Sequence, residues 1–225
     1  PRQGNDVRYE LRLTFEEAAK GCHKSVEFYR YENCATCGGS GAKPGTQPQT
    51  CSMCKGTGQI RQSGGWMRTV RTCPACGGSG KVIKDKCSSC GGSGRVRMRR
   101  TLELDVPAGV DDNIVLSKRG QGEPGANGGP NGDLLIQITV KPHKLFRREG
   151  TNLRLEVPIS FTQAALGAEI DVPTLDGSVK YTIPEGTQTD TEFRIRGKGI
   201  QQLGSNNKGD LIFKVRVETP RRLTE

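Results

Sequence analysis

Cys34-Ala-Thr-Cys37-Gly-Gly-Ser-Gly41 is the first of four versions of one phrase. The others are Cys51-Ser-Met-Cys54-Lys-Gly-Thr-Gly58, Cys73-Pro-Ala-Cys76-Gly-Gly-Ser-Gly80 and Cys87-Ser-Ser-Cys90-Gly-Gly-Ser-Gly94. Written generally, the phrase is C-x-x-C-x-G-x-G. Its two-residue spacer lets both sulfurs of a pair face one ion. Two pairs supply the four thiolates of a tetrahedral zinc, so four pairs predict two zinc ions. The glycines permit backbone angles that other residues resist, which lets the chain turn tightly round each ion. A disulfide framework is the competing reading. The chain has 9 cysteines, an odd number, and eight of them sit in the phrase. Neither a secretory segment nor an 18-residue apolar run is present. A disulfide scaffold gives no reason for glycines two and four residues after each pair, and a redox C-x-x-C is typically single and set between strand and helix.

The flanking sequence explains where this module sits. Val7, Tyr9, Leu11 and Leu13 alternate with polar residues, the period of a half-buried strand. Thr14 and Glu17 form a capping box for a short helix that ends at Gly21. A second strand runs over Ser25–Tyr31, with Val26 and Phe28 on one face. Residues 152–167 repeat residues 6–21 at an offset of 146, including the capping box at Ser160 and Gln163. Later matches, such as Pro107-Ala-Gly109 with Pro184-Glu-Gly186 and Gly132-Asp-Leu134 with Gly209-Asp-Leu211, keep an offset of 77. The two offsets differ by 69 residues, so the first copy carries about that much extra chain between Phe28 and Leu102, including every cysteine phrase.

In the second copy the same gap is Thr174-Leu-Asp-Gly-Ser178, where Asp-Gly signals a tight hairpin. The module thus replaces a hairpin tip, and its two ends must meet across neighbouring strands about 5 Å apart. That selects nested pairing. Cys34, Cys37, Cys87 and Cys90 are expected to bind one zinc, and Cys51, Cys54, Cys73 and Cys76 the other, further out. The expected fold is all-β: two duplicated sandwich-like domains, each with one short helix, the first interrupted by the two-zinc module. The expected division is 1–33 with 95–143, 34–94, and 144–225.

Composition limits the function. Net charge is +10 and the calculated pI is near 9.3, which raises a zinc-ribbon nucleic-acid binder as the alternative function. The charges are spread, however, with one tight cluster at Arg95, Arg97, Arg99 and Arg100, and aromatics are only 5% of the chain. Nucleic acid is therefore not the expected partner. Eight cysteine ligands make closed metal sites without an open coordination position, and no acid–base or nucleophile constellation stands out, so no enzymatic activity is expected. Cys22 reads as a small packed side chain and His143, in Pro142-His-Lys144, as a joint residue. The glycine-rich stretch 120–132 lacks the Gly-Lys-Ser/Thr ending of a phosphate loop. Trp66, Met67 and Arg68 fall between Cys54 and Cys73 and read as a contact surface at the outer zinc.

Four C-x-x-C-x-G-x-G phrases inside the first of two duplicated β-domains resemble the DnaJ co-chaperones of the zinc-carrying type, over essentially the whole chain. The resemblance implies capture of unfolded or misfolded polypeptides, hand-over to a DnaK-type ATPase chaperone, and a cytoplasmic location without membrane attachment. It implies a client site in the first β-domain, which maps here to Val7, Val26, Phe28, Leu102 and Phe146. Phe28 aligns with Thr174 in the second copy, so the shared fold does not require an aromatic there. His-Pro-Asp, the mark of the family's J-domain, is absent, and the chain stops where the family's dimerising segment begins. The expectation is a fragment lacking both, monomeric here although the full-length family forms homodimers.

Overall fold

A computed structural model describes residues 2–64, 67–126 and 128–219, leaving aside the side chains of 62–64 and 67–68. Strand β1 (Val7–Leu13) runs into helix α1 (Phe15–Lys20) and then strand β2 (Cys22–Asn33). The module holds β3 (Gln49–Thr50), β4 (Gln59–Gly64), β5 (Met67–Thr72) and β6 (Lys81–Val82). After it come β7 (Arg95–Val106), β8 (Val115–Lys118), β9 (Leu134–Val140) and β10 (Arg147–Glu149). The second copy holds β11 (Asn152–Ser160), α2 (Phe161–Leu166), β12 (Ala168–Thr174), β13 (Gly177–Ile183), β14 (Glu192–Ile195) and β15 (Leu211–Glu218). Among the described residues the regular structure is thus mostly strands, with two short helices.

The duplication is visible element by element. Helix α1 and α2, and the starts of β2 and β12, differ by 146 residues; the starts of β8 and β14, and of β9 and β15, differ by 77. Both helices begin with a complete capping box: the hydroxyls of Thr14 and Ser160 accept from the N–H groups of Glu17 and Gln163, whose side chains accept from the cap residues in return. Sheet order is β1-β9-β8 in the first copy and β10-β11-β15-β14 in the second. In the second, β11 and β15 are parallel, with Leu153 opposite Leu211 and Val157 opposite Val215. Burial follows period two: Leu11 and Leu13 of β1, Val26 and Phe28 of β2, and Leu153, Leu155, Val157 and Ile159 of β11 point inward.

Two elements differ from their sequence expectation. The alternating stretch Thr101-Leu-Glu-Leu-Asp-Val106 predicts a strand from Thr101, but β7 starts at Arg95, and β2 extends to Asn33. These outer halves lack apolar alternation. Charge pairing holds them instead: Arg99 meets Glu27 at 3.4 Å, and Arg100 and Arg30 both bond to Glu32. Strand β10 went unread because all three of its residues are charged. It forms by folding back on β11 through Gly150 at φ +63°. The hairpin joining β12 to β13 turns on Leu175–Asp176, with Thr174 opposite Gly177, and Gly177 takes the positive φ.

By contacts the chain divides into two compact units. One holds Pro1–Val7, Glu27–Arg100 and Lys118–Leu134; the other holds Arg8–Val26, Thr101–Ser117 and Leu135–Glu225. The whole cysteine module lies in the first. The glycine-rich stretch is also there, with a structural role. Gly122 donates to Gly132 O at 2.8 Å, and a Cβ at Gly122 would lie 2.7 Å from Asn5 O. In the second unit Phe15 and Ala19 of α1 join one apolar cluster with Phe146, Leu153, Leu155, Val172, Leu211 and Phe213.

Candidate metal centres

The module is a ladder of two arms. Strands β2 and β7 pair at its base; then come the Ala42–Lys86 bridge, the β3–β6 pair with Gln49 opposite Val82, and the β4–β5 ribbon with Gln59 opposite Thr72. Antiparallel pairing of this kind brings the first phrase to the fourth and the second to the third. Two tetrads result: Cys34, Cys37, Cys87 and Cys90, and Cys51, Cys54, Cys73 and Cys76. In each, all four sulfurs lie within 4.8 Å of one another. The sulfurs of Cys34 and Cys87 are 4.0 Å apart, of Cys37 and Cys90 3.8 Å, of Cys51 and Cys73 3.8 Å, and of Cys54 and Cys76 3.6 Å. Four soft, converging donors in each tetrad can hold a metal ion.

Each tetrad is built with local two-fold symmetry. The first cysteine of one phrase donates its backbone N–H to the last glycine of the partner phrase: Cys34 to Gly94 at 2.8 Å, Cys87 to Gly41 at 2.9 Å, Cys51 to Gly80 at 2.9 Å and Cys73 to Gly58 at 3.0 Å. The last glycine packs directly on the partner's backbone. A Cβ at Gly94 would lie 2.3 Å from Gly39 O, and one at Gly41 would lie 2.4 Å from Gly92 O. That same glycine donates its N–H to the second cysteine's sulfur, at 3.3 Å in all four phrases. The phrase therefore needs its final glycine for contact and its middle glycine for conformation; Gly39, Gly56, Gly78 and Gly92 all have φ between +86° and +95°.

Sequence reading missed one member of the phrase. Ser40, Thr57, Ser79 and Ser93 each donate a hydroxyl to the carbonyl of the second cysteine, at 2.7–2.8 Å. The signal was present, since a hydroxyl residue stands between the two glycines in every phrase. Thr36 and Ser89 add a hydroxyl contact across the inner tetrad at 3.0 Å.

The thiols are electrostatically unequal. Burial pushes Cys37 up, but the N–H groups of Gly41 and Gly39 and the neighbouring Cys34 and Cys90 outweigh it and bring the thiol down to about 6. Cys54 behaves alike, with Gly58, Cys76, Cys51 and Gly56 offsetting its burial. Burial raises Cys73 and Cys87. Each tetrad thus contains a thiol that ionises readily, as metal binding by thiolate requires. Cys22 stands outside both tetrads, and burial raises its thiol.

Val26 and Phe28 are buried on the inward face of β2, while Val7 and Leu102 are half-buried on β1 and β7. Phe146 belongs to the apolar cluster of the second unit, among whose members the other four do not appear. His143 is a joint residue in fact: its Nδ1 accepts from the N–H groups of Leu145 and Phe146, and its ring lies between Phe15 and Phe146. Trp66 lies outside the described residues, as do the side chains of Met67 and Arg68. The arginine cluster is engaged within the protein. Arg95 faces Glu123, Arg97 covers the Tyr29 ring at 4.5 Å, and Arg99 and Arg100 bond to Glu27 and Glu32. Among the described residues, no helix is long and apolar enough to cross a membrane.

Comparison with known proteins agrees with this architecture. The family model described as "DnaJ C terminal domain" matches residues 7–220. The chain is 55% identical to a protein named Chaperone protein DnaJ from Geobacillus kaustophilus, and 52% identical to one from Ruminiclostridium cellulolyticum, in both cases over 100% of its length and 60% of theirs. A third, from Bordetella petrii, is 49% identical over 99% of the chain and 60% of its own length. The chain spans about three fifths of the length of these curated relatives. With the repeat, the nested tetrads and these matches together, the chain belongs to the DnaJ C-terminal domain family.

Proposed function

We propose that this chain captures unfolded or misfolded polypeptides, keeps them from aggregating and delivers them to a DnaK-type ATPase chaperone in the cytoplasm. Beyond family membership, one observation supports the capture step. Strand β2 is paired with β7 alone among the described residues, so its other edge offers unpaired backbone groups to an extended client. In the first unit a crevice of about 330 Å³ adjoins that strand, lined by Asp6, Val7, Tyr29, Arg30, Tyr31, Arg97 and Glu123. Tyr29, with Arg97 over its ring, and Tyr31 are large aromatics that stay half-exposed there. Val7, Val26, Phe28, Leu102 and Phe146 carry over as proposed client contacts; Val7 and Phe28 lie in the first unit. The domain division that accompanies this reading is 1–33 with 95–143, 34–94 and 144–225.

We further propose that both tetrads hold Zn²⁺. A zinc–sulfur bond of about 2.3 Å gives a tetrahedral edge of about 3.8 Å, and the paired sulfurs lie at 3.6–4.0 Å. Bound there, zinc supplies cross-linking and no open coordination position. The outer end of the module is the proposed contact for the ATPase chaperone.

The test is aggregation of a chemically denatured model protein, followed by light scattering without ATP. The chain is expected to suppress scattering at near-stoichiometric ratios, and to do so equally in low and moderate salt. No suppression at any ratio refutes the capture reading. Suppression that vanishes between low and moderate salt would instead indicate charge-driven binding.

A further inference from the structure

Three of the four phrases place glycine directly after their second cysteine: Gly38, Gly77 and Gly91, at φ +61°, +57° and +64°. The second phrase has Lys55 at that position, at φ +51°. In this left-handed region a Cβ is driven toward the following carbonyl, and only glycine escapes the strain. Crowding is not the reason for the other three glycines, since a Cβ at Gly38, Gly77 or Gly91 would meet nothing within 4 Å. The three glycines are therefore not required by crowding, and Lys55 differs from them by its backbone strain and its ammonium. Lys55 carries that strain, and it sits in the outer tetrad, beside Cys54.

We propose that Lys55 makes the outer tetrad the weaker of the two metal sites, so that the module releases its outer ion first and opens from the tip while its base stays closed. The inference rests on the zinc reading above. It needs no difference in ligands, because both tetrads present four cysteines held by the same backbone bonds. The strained residue lies within one phrase of the outer tetrad, and Gly77 in the partner phrase is unstrained.

The test titrates the zinc-loaded chain with a chromophoric chelator and identifies the freed cysteines by alkylation and mass spectrometry. Two release steps are expected, with Cys51, Cys54, Cys73 and Cys76 alkylated in the first. Lys55→Gly should tighten the first step about five-fold. Lys55→Ala, which keeps the strain and removes the ammonium, should not tighten it. Gly38→Lys should weaken the second step about five-fold by putting the same strain into the inner tetrad. Alkylation of Cys34, Cys37, Cys87 and Cys90 first, an unchanged first step in Lys55→Gly, or equal tightening by Lys55→Ala would each overturn the proposal. A chain that holds zinc in neither tetrad removes the zinc reading and this inference with it; two ions leaving in reverse order removes the inference alone.

Discussion

Two glycines of the fourth phrase, three residues apart, should respond very differently to the same substitution. Gly91 and Gly94 have φ +64° and +71°, so alanine at either position incurs the left-handed penalty of about 1–2 kcal/mol. At Gly91 that is the whole effect, because the new methyl would meet nothing within 4 Å. At Gly94 the methyl would lie 2.3 Å from Gly39 O and 2.9 Å from its carbonyl carbon. Non-bonded carbon and oxygen approach to about 3.3 Å, so the two phrases must separate by about 1 Å. That separation disturbs the Cys34 N–H bond to Gly94 O at 2.8 Å and the Gly94 N–H bond to the Cys90 sulfur at 3.3 Å. At about 1 kcal/mol for each bond, plus the strain, the cost at Gly94 comes to about 3–4 kcal/mol. This corresponds to a loss of two to three orders of magnitude in metal affinity at the inner tetrad. Zinc content by atomic absorption and chelator competition would measure it. Gly91→Ala is expected to retain two ions and Gly94→Ala only the outer one under moderate competition. Equal behaviour of the two variants would refute the reciprocal packing argument.

Other perturbations follow from the same contacts. Glu32 is held down to about 2 by its bonds to Arg100 and Arg30, despite opposing burial. Its contribution is therefore complete above about pH 4.5 and lost as pH falls toward 2; Glu32→Gln should flatten that acid limb in denaturant titrations by about 1–2 kcal/mol, after allowing for half-exposed Arg100. His23 has its proton affinity raised by Asp105 and, more weakly, by Glu103. Its stabilising effect is present below the ordinary histidine range and fades as pH rises through the raised value; an NMR titration should find its midpoint above 6.5, and a midpoint below 6.5 would contradict the pairing. Tyr31→Ser should weaken capture of an unfolded client several-fold while leaving the unfolding midpoint unchanged, since Tyr31 is 47% exposed; unchanged capture would remove Tyr31 from the proposed edge.

Much of this architecture is legible in the sequence because it rests on local rules. The capping boxes at Thr14 and Ser160 and the period-two strands are short-range patterns that survive folding unchanged, and the 146- and 77-residue offsets come from matching such local segments. Nested cysteine pairing was legible for a topological reason: an insert at a hairpin tip must close at its base. What escaped reading depends on partners distant in sequence. The outer halves of β2 and β7 look like a basic cluster until Glu27 and Glu32 are placed opposite the arginines. The hydroxyl between the two glycines has a role only once it is seen bonding the second cysteine's carbonyl. Phe28 aligns with Thr174 and reads as a pocket residue, but it is 4% exposed. Phe28→Ser would therefore cost core packing, about 3 kcal/mol or more, and cannot report on client contact alone. Tyr31, on the opposite face of the same strand, is the cleaner probe.

The most direct test of the account is the metal connectivity itself. With ¹¹³Cd loaded into the chain, a proton–cadmium correlation spectrum links each cadmium to the β-protons of the cysteines that hold it. Two cadmium resonances are predicted, one coupled to Cys34, Cys37, Cys87 and Cys90, and the other to Cys51, Cys54, Cys73 and Cys76. A resonance coupled to Cys34 and Cys37 together with Cys51 and Cys54 would contradict the nested module and the hairpin-tip insertion on which it rests.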